Sequence, residues 1–291
     1  MNVADDILLV DKPVGWTSFD VVAKIRGKIR AEYITSGIKP TKKQLRVGHA
    51  GTLDPFATGL LIILLGEGCK KAGDFLKLDK TYEFTAKLGE ISTTGDPEGE
   101  VLGYGIWKIE NSKQQIANSY DVAVIPGSIG NPVDIPERSE SSSSVEESKA
   151  SAVLNSSDLA GGLDNNETST LTIPTEKDVK NALKQFEGEI SQVPPVFSAI
   201  KINGKRAYKL AREGKKVEIP VRQIMINKIE LIEYNFPYIK AVCDVSSGTY
   251  IRTLVEDIGK VLDTGAYCTD LRRTRIGEYK IEDATTIDKL V

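Results

Sequence analysis

The chain has 291 residues, 40% hydrophobic and 27% charged, which is long and apolar enough for a packed core. No apolar run reaches the ~18–20 residues of a membrane span, and the acidic Asp5 and Asp6 do not fit a secretory signal. A single histidine excludes a multi-histidine metal site, three widely spaced cysteines disfavour a disulfide framework, and glycine fingerprints of nucleotide cofactors are absent. We therefore expect a cytoplasmic protein with no metal, no cofactor and no membrane contact.

Hydrophobic periodicity predicts three strands and one helix in the N-terminal part. Strands are expected at Ile7–Val10, at the continuous apolar run GLLIILLG (59–66), and at 82–88, where apolar and polar residues alternate. The helix is predicted to begin after Thr17, because Asp20 follows at the spacing of a capping box. Its buried face is predicted to carry Phe19, Val22, Ile25 and Ile29.

The C-terminal part is predicted to hold two helices and a pair of strands. Thr175 with Asp178 opens the first helix, strands are expected at 217–233 and 239–245, and the second helix spans 249–262. Strands and helices do not alternate regularly along the chain. We therefore predict an α+β domain with a mixed, mostly antiparallel central sheet flanked by helices and loops.

Residues 105–171 differ in composition from the sequence on either side. They are rich in Ser, Asn, Asp, Glu and Gly and carry ten acidic but only four basic side chains. Such a segment buries too little apolar surface to offset the entropy of ordering it. We expect an acidic, serine-rich insertion, partly disordered, that divides one domain into residues 1–104 and 172–291.

Outside this insertion the chain is mildly basic, and the positive charge is clustered. The clusters are KIRGKIR (24–30), KPTKKQLR (39–46), KINGKRAYKLAREGKK (201–216) and LRRTR (271–275). Each cluster alone is typical of a solvated surface, but the four together favour a polyanionic partner.

The stretch RVGHAGTLDPFATG (46–59) sets Asp54 among small residues, directly before a proline. Pro55 pushes Asp54 toward an extended backbone, and the neighbouring glycines and alanines leave room for another molecule to approach. The loop leads into the rigid strand expected at 59–66, which is a common support for a reactive group. By itself the pattern leaves two interpretations open, a reactive carboxylate or a residue that forms an Asx turn.

Seven segments together resemble the bacterial tRNA pseudouridine synthase B (TruB) family, and they occur in the family's order. They are LLVDKPVGWTS (8–18), GHAGTLDPFATGLL (48–61), DKTYEF (79–84), STTGDPEG (92–99), QVPPVFSAIKINGKRAYKLAREG (192–214), SGTYIRTLVEDIG (247–259) and LRRTRIG (271–277). The resemblance implies the pseudouridine synthase fold. The chain departs from the family pattern in its insertion and in leaving no room for a small C-terminal RNA-binding (PUA-like) domain.

The resemblance implies isomerisation of uridine to pseudouridine in the T loop of tRNA, at position 55 of the standard tRNA numbering. Asp54 matches the family's catalytic aspartate, whose role stays open between addition to the base, attack on the sugar and removal of a sugar proton. Tyr82 matches an active-site tyrosine that can stack on a flipped uracil. Arg252 matches an arginine expected to pair with Asp54 and keep it ionised. Without the resemblance, Tyr82 fits a core aromatic residue and Arg252 a surface salt bridge.

Further positions match substrate contacts of the family. Tyr250 and Leu271 match residues that line the uracil pocket, although Leu271 also fits an ordinary core position, and His49 matches a residue that contacts the RNA near the vacated base position. The residues expected to contact phosphates are Lys12, Lys201, Lys205, Arg206, Arg272 and Arg273. The expected partner is the T arm of tRNA, bound by a monomer.

Two other classes of function stay open on the sequence. A tRNA-binding folding helper without catalysis needs the basic clusters but does not need Asp54, Tyr82 and Arg252 together. A glycoside hydrolase needs a pair of carboxylates, and the sequence offers one strong candidate with no clear second. We therefore favour the isomerase.

Overall fold

The computed structural model describes residues 7–104, 173–198, 200–202, 204–214 and 218–290. These residues all fall within one structural unit. The insertion expected at 105–171 lies outside the described residues. Within the described ranges, no helix combines the length and the apolar character needed to cross a membrane.

The N-terminal part contains six strands and two α-helices within residues 7–104. In chain order they are β1 (Ile7–Lys12), α1 (Ser18–Thr35), β2 (Val47–Ala50), β3 (Thr58–Leu65), a 3-10 helix (Gly66–Lys71), α2 (Ala72–Lys77), β4 (Lys80–Leu88), β5 (Glu90–Ser92) and β6 (Val101–Gly103).

The C-terminal part contributes the remaining elements of the described chain. They are α3 (Glu176–Lys184), β7 (Gly188–Gln192), β8 (Lys201–Ile202), β9 (Lys205–Arg206), α4 (Ala207–Arg212), β10 (Arg222–Asn235), β11 (Tyr238–Val245), α5 (Ile251–Val261), β12 (Ala266–Ile276), β13 (Tyr279–Lys280), a 3-10 helix (Ile281–Asp283), β14 (Thr285–Thr286) and α6 (Ile287–Leu290).

Among the described residues, ten strands form one sheet in the order β14-β1-β3-β12-β4-β11-β10-β7, with β13 beside β12 and β2 beside β3. The pairs β1–β14 and β3–β12 are parallel, and the other pairs in this sheet are antiparallel. Helices pack against this sheet, so the predicted α+β class with a mixed, mostly antiparallel sheet is confirmed. Two short pairs, β5–β6 and β8–β9, stand apart from it.

Burial follows the patterns read from the sequence, with one exception on α1. Strand β3 is buried at every position after its first, and β4 alternates between buried and half-buried residues. Helix α1 starts at the predicted capping box of Thr17 and Asp20. The prediction that Phe19 is buried is wrong: its side chain is 60% exposed. The buried stripe runs through Val21, Val22, Ile25 and Ile29 instead, and the Arg26 guanidinium lies 5.8 Å from the Phe19 ring centroid.

The parallel pairing of β3 with β12 holds the loop that carries Asp54. Gly59 faces Arg273 across this pair, and its φ of 100° is one that L side chains rarely adopt. A Cβ at this position would collide with the backbone carbonyl of Arg273. Glycine is therefore required where the two strands meet.

We predict that Gly59→Ala lowers the free energy of unfolding by more than ~3 kcal/mol, because it combines backbone strain with a clash against rigid backbone. Gly27→Ala is the matched control, since Gly27 lies inside α1 with no atom within 4 Å of an added Cβ. This control should raise stability by ~0.5–1 kcal/mol. Denaturant titration of both variants tests the comparison, and equal effects would contradict it.

Candidate active site

The loop between β2 and β3, which presents Asp54, is held by residues from the end of β1 to the start of α1. The hydroxyl of Ser18 accepts from the backbone N–H of Leu53 (2.8 Å) and donates to its carbonyl (3.1 Å). The carbonyl of Pro55 accepts from the backbone N–H of Gly15 (2.8 Å) and from the ammonium of Lys12 (3.3 Å). The LLVDKPVGWTS segment therefore fixes the backbone of Leu53 and Pro55, the two neighbours of Asp54, by hydrogen bonds.

Arg273 supports the same loop from β12. Its Nε donates to the carbonyl of Leu60 (2.8 Å) and its Nη2 to the carbonyl of Gly51 (2.9 Å). The guanidinium carbon also lies 6.0 Å from the centroid of the Tyr82 ring. Because Arg273 is fully buried, it links Tyr82 to the loop of Asp54 from inside the protein.

Arg252 binds Asp54 directly, as the sequence predicts. Its Nε lies 3.0 Å from Oδ2 of Asp54. Its Nη1 donates to Oδ2 of Asp96 (2.9 Å) and to the carbonyl of Thr94 (2.7 Å), and its Nη2 donates to the carbonyl of Phe197 (2.9 Å). Three chain segments distant in sequence therefore converge on one guanidinium in the first turn of α5.

Asp96 is a site residue that the sequence reasoning missed. Its side chain is only 4% exposed, and its other oxygen, Oδ1, accepts from the Thr94 hydroxyl (2.6 Å) and from the backbone N–H of Glu98 (3.0 Å). The segment STTGDPEG (92–99) contributes to the family resemblance, but its pattern assigns no role to Asp96. An aspartate directly before proline, as in LDP at Asp54, was the available signal.

The carboxylate of Asp54 keeps access to solvent while it is held by Arg252. Its side chain is 35% exposed, so a ligand can reach it. Burial raises the pKa of the Asp54 carboxyl above its usual value, and the negative charge of Asp96 adds to this, while Arg252 and Lys12 oppose it. The surroundings of Asp54 therefore disfavour its ionised form, and the positive charge of Arg252 is the largest effect that favours it.

Tyr82 and Leu271 lie in the core next to this site. Tyr82, on β4, pairs with Arg273 on β12, and Leu271 pairs with Phe84. Both Tyr82 and Leu271 are buried and belong to the apolar cluster that also contains Leu53, the neighbour of Asp54. The structure thus places Tyr82 and Leu271 in the same apolar cluster as the neighbour of Asp54.

Tyr250 lies near the Asp54–Arg252 pair, whereas His49 lies on β2 near Arg273 and Arg206. Tyr250 precedes α5, and its backbone N–H and carbonyl both bond the side chain of Gln192 (2.8 and 3.1 Å). Burial raises the pKa of the Tyr250 phenol. The pKa of His49 is lowered by burial and by the charges of Arg273 and Arg206, which favours the neutral imidazole.

The residues expected to contact phosphates fall into two groups. Lys12 and Arg273 are buried, and their cationic groups bond backbone carbonyls; burial lowers the pKa of Lys12 to about 8. Arg272 is partly exposed and forms a two-bond pair with Asp11 (2.8 and 3.1 Å). Lys205 and Arg206 are exposed on β9, whereas the side chain of Lys201 lies outside the described residues. Among the described members of this set, Lys205 and Arg206 on β9 are the most exposed.

The chain matches known protein families over most of its length. The chain matches the model described as "TruB family pseudouridylate synthase (N terminal domain)" over residues 39–123 and 147–251. Residues 252–291 match the "tRNA pseudouridylate synthase B C-terminal domain". Proteins named tRNA pseudouridine synthase B from Phocaeicola vulgatus and Parabacteroides distasonis are each 35% identical to it, covering 97% and 96% of this chain and 90% and 89% of theirs.

Solved structures share the fold at lower identity. A Cbf5–Nop10–Gar1 complex matches with a TM-score of 0.54 and 22% identity over 99% of this chain, and an archaeal box H/ACA sRNP Nop10–Cbf5 complex matches with 0.52 and 20% over 98%. This chain spans about half of those chains, 55% and 52%. The family models and the relatives together identify the chain as a pseudouridine synthase, which is an isomerase. The chain belongs to the TruB family of pseudouridylate synthases.

We predict unequal stability effects for substitutions of the two aspartates that share Arg252. Asp96→Asn removes a charge from a fully buried pair and should lower the free energy of unfolding by at least ~2 kcal/mol. Asp54→Asn should leave it within ~1 kcal/mol of wild type at pH 7. The raised pKa of Asp54 means that its ionised form destabilises the fold as the pH rises through the folded-state pKa, and asparagine lacks this charge. Equal losses in denaturant titrations would contradict this division.

We also predict that Arg252 sets the acid limb of the pH–rate profile. Each role open to Asp54 needs the ionised carboxylate, and Arg252 lowers the pKa that burial raises. In Arg252→Gln the pKa should rise further, so the acid limb of single-turnover pseudouridine formation should move to higher pH. Arg275→Gln is the control, because Arg275 pairs with Asp244. An unmoved limb in Arg252→Gln would show that Arg252 does not tune Asp54.

Proposed function

We propose that the chain isomerises uridine to pseudouridine in the T loop of tRNA, at position 55 of the standard tRNA numbering, with Asp54 as the catalytic residue. We further propose that it acts as a monomer in the cytoplasm. Its three cysteines are free thiols, as is usual in a reducing compartment. The relatives named tRNA pseudouridine synthase B support tRNA as the substrate.

The observation that carries the proposal is the reachable Asp54 carboxylate fixed by Arg252 at 3.0 Å. The reaction breaks the N-glycosidic bond, turns the uracil over and forms a C–C bond between the sugar and C5. A carboxylate oriented by a guanidinium and partly shielded from water is suited to each of the three roles open to Asp54. Tyr82 and Leu271 supply apolar surface beside it for the everted uracil.

The enzyme can reach the uridine only after its base has left the stack of neighbouring bases. Extruding a base costs a few kcal/mol, and the loop of a tRNA arm lowers this cost because its bases are less constrained. Phosphate contacts offset the remainder. Lys205 and Arg206 on the β8–β9 hairpin are exposed. The positive charge of Arg206 lowers the pKa of His49, which lies on the strand that leads into the Asp54 loop. This supports the hairpin as an RNA-docking element.

A glycoside hydrolase is disfavoured for a reason that differs from the one drawn from the sequence. A second carboxylate does stand beside Asp54, namely Asp96. Both of its oxygens are occupied, Oδ2 by Arg252 and Oδ1 by Thr94 and the backbone of Glu98. Asp96 is therefore a positioning residue and lacks the access that a general acid or base needs.

The proposal predicts tritium release from tRNA transcripts labelled with [5-³H]uridine, because forming the C–C bond frees the hydrogen at C5. Wild type should release one tritium per tRNA, and a transcript with cytidine at position 55 should release none. Asp54→Asn should slow release by at least ~10³-fold while the protein stays folded. Retained release in Asp54→Asn would refute the role of Asp54. RNA binding and refolding of tRNA by wild type without release would favour the folding helper.

A further inference from the structure

A tight turn formed by Val196, Phe197 and Ser198 borders the active site. The backbone N–H of Ser198 donates to the carbonyl of Val196 (2.9 Å), which closes a three-residue turn with Phe197 at its apex. The carbonyl of Phe197 accepts from Nη2 of Arg252 (2.9 Å), and Nε of the same guanidinium lies 3.0 Å from Asp54. A single guanidinium therefore separates the backbone of Phe197 from the catalytic carboxylate.

The side chain of Phe197 is exposed although its surroundings are buried. Its exposed fraction is 36%, whereas Arg252, Asp96 and Ser198 are all buried. A single exposed apolar side chain is common on protein surfaces and needs no function by itself. Phe197 differs because its backbone is anchored on both sides, by the turn and by Arg252. The ring is presented on a fixed support at the rim of the site.

An RNA substrate offers an apolar partner for such a ring. Everting one nucleotide removes a stacking neighbour from the bases beside it, and these bases then expose a π-face. Aromatic side chains stack on such exposed base faces, and this stacking depends little on which base is present. Because the Phe197 backbone and the Asp54 carboxylate bind the same guanidinium, a nucleotide next to the everted uridine would pass close to this ring.

We propose that Phe197 is a substrate-binding residue whose ring stacks on the base next to the target uridine. The proposal rests on the proposed function in that it takes RNA as the substrate. In this proposal Phe197 helps to stabilise the RNA conformation in which the uridine is everted, and Asp54 carries out the chemical step. Loss of the ring should therefore weaken substrate binding and have little effect on the turnover of bound RNA.

The test uses the full-length protein and T-arm stem-loops that carry 5-iodouridine on one side or the other of the target uridine. Irradiation joins iodouridine to an aromatic side chain that stacks on it, and mass spectrometry locates the joined residue. The variants are Phe197→Leu, which keeps the apolar bulk, and Phe197→Tyr, which keeps the ring. Phe236→Leu is the matched control, because Phe236 is 41% exposed and lies in the β10–β11 turn, beside Tyr238, which pairs with Lys87 at the far end of β4.

The proposal predicts a cross-link to residue 197 with one of the two RNAs in wild type, Phe197→Tyr and Phe236→Leu, and its loss in Phe197→Leu. It also predicts that Phe197→Leu raises KM about tenfold, equivalent to ~1.4 kcal/mol, with kcat within about twofold. Wild type without a cross-link at residue 197, or Phe197→Leu with an unchanged KM, would overturn it. Tritium release by wild type from the unmodified stem-loop separately reports whether the proposed function holds.

Discussion

The buried guanidinium of Arg252 is the interaction on which the rest of the site depends. A guanidinium offers five N–H donors in one plane, and a buried cation must find acceptors for them. In this chain the acceptors come from the loop of Asp54, from the segment of Thr94 and Asp96, and from the turn at Phe197. These segments are far apart in sequence. Satisfying one cation therefore joins them into a single site.

Asp54 and Asp96, the two carboxylates bound to this guanidinium, have different roles because their surroundings differ. Asp96 is enclosed and hydrogen-bonded through both oxygens, so it fixes the orientation of Arg252. Asp54 is reachable, and burial raises its pKa. Lys12 adds a positive charge near Asp54 and bonds the carbonyl of Pro55. The site thus combines a buried, fully hydrogen-bonded carboxylate, Asp96, with a solvent-accessible one, Asp54. Such an arrangement orients a reactive group.

Much of this site was predictable from the sequence, and the failures have a common cause. The pattern around Asp54 and the resemblance at SGTYIRT pointed to Asp54 and Arg252, and periodicity predicted the strand that carries Tyr82. The strand that carries Leu271 was not predicted, and Leu271 was proposed from the resemblance alone. Asp96 was missed because a local turn pattern does not reveal a partner 156 residues away. The contacts of Lys12 and Arg273 with backbone carbonyls could not be foreseen either, because a sequence pattern does not distinguish a solvated cation from one that is bonded inside the protein.

Phe19 illustrates the same limit within a helix. The spacing of apolar residues along α1 fits two overlapping faces, and only the position of the sheet decides which one is buried. The structure buries Val21 and leaves Phe19 exposed under the guanidinium of Arg26. Local sequence therefore defines the element and its ends, while contacts between distant elements decide which side chains are free to meet a substrate.

The most direct test of the central claim is a crystal structure of Asp54→Asn bound to a tRNA T-arm stem-loop with an intact target uridine. The account predicts an everted uridine in contact with residue 54, with Arg252 still bonded to Asp96 and to the Phe197 carbonyl. A uridine that stays stacked in its loop, or one that binds away from residue 54 and Arg252, would contradict it.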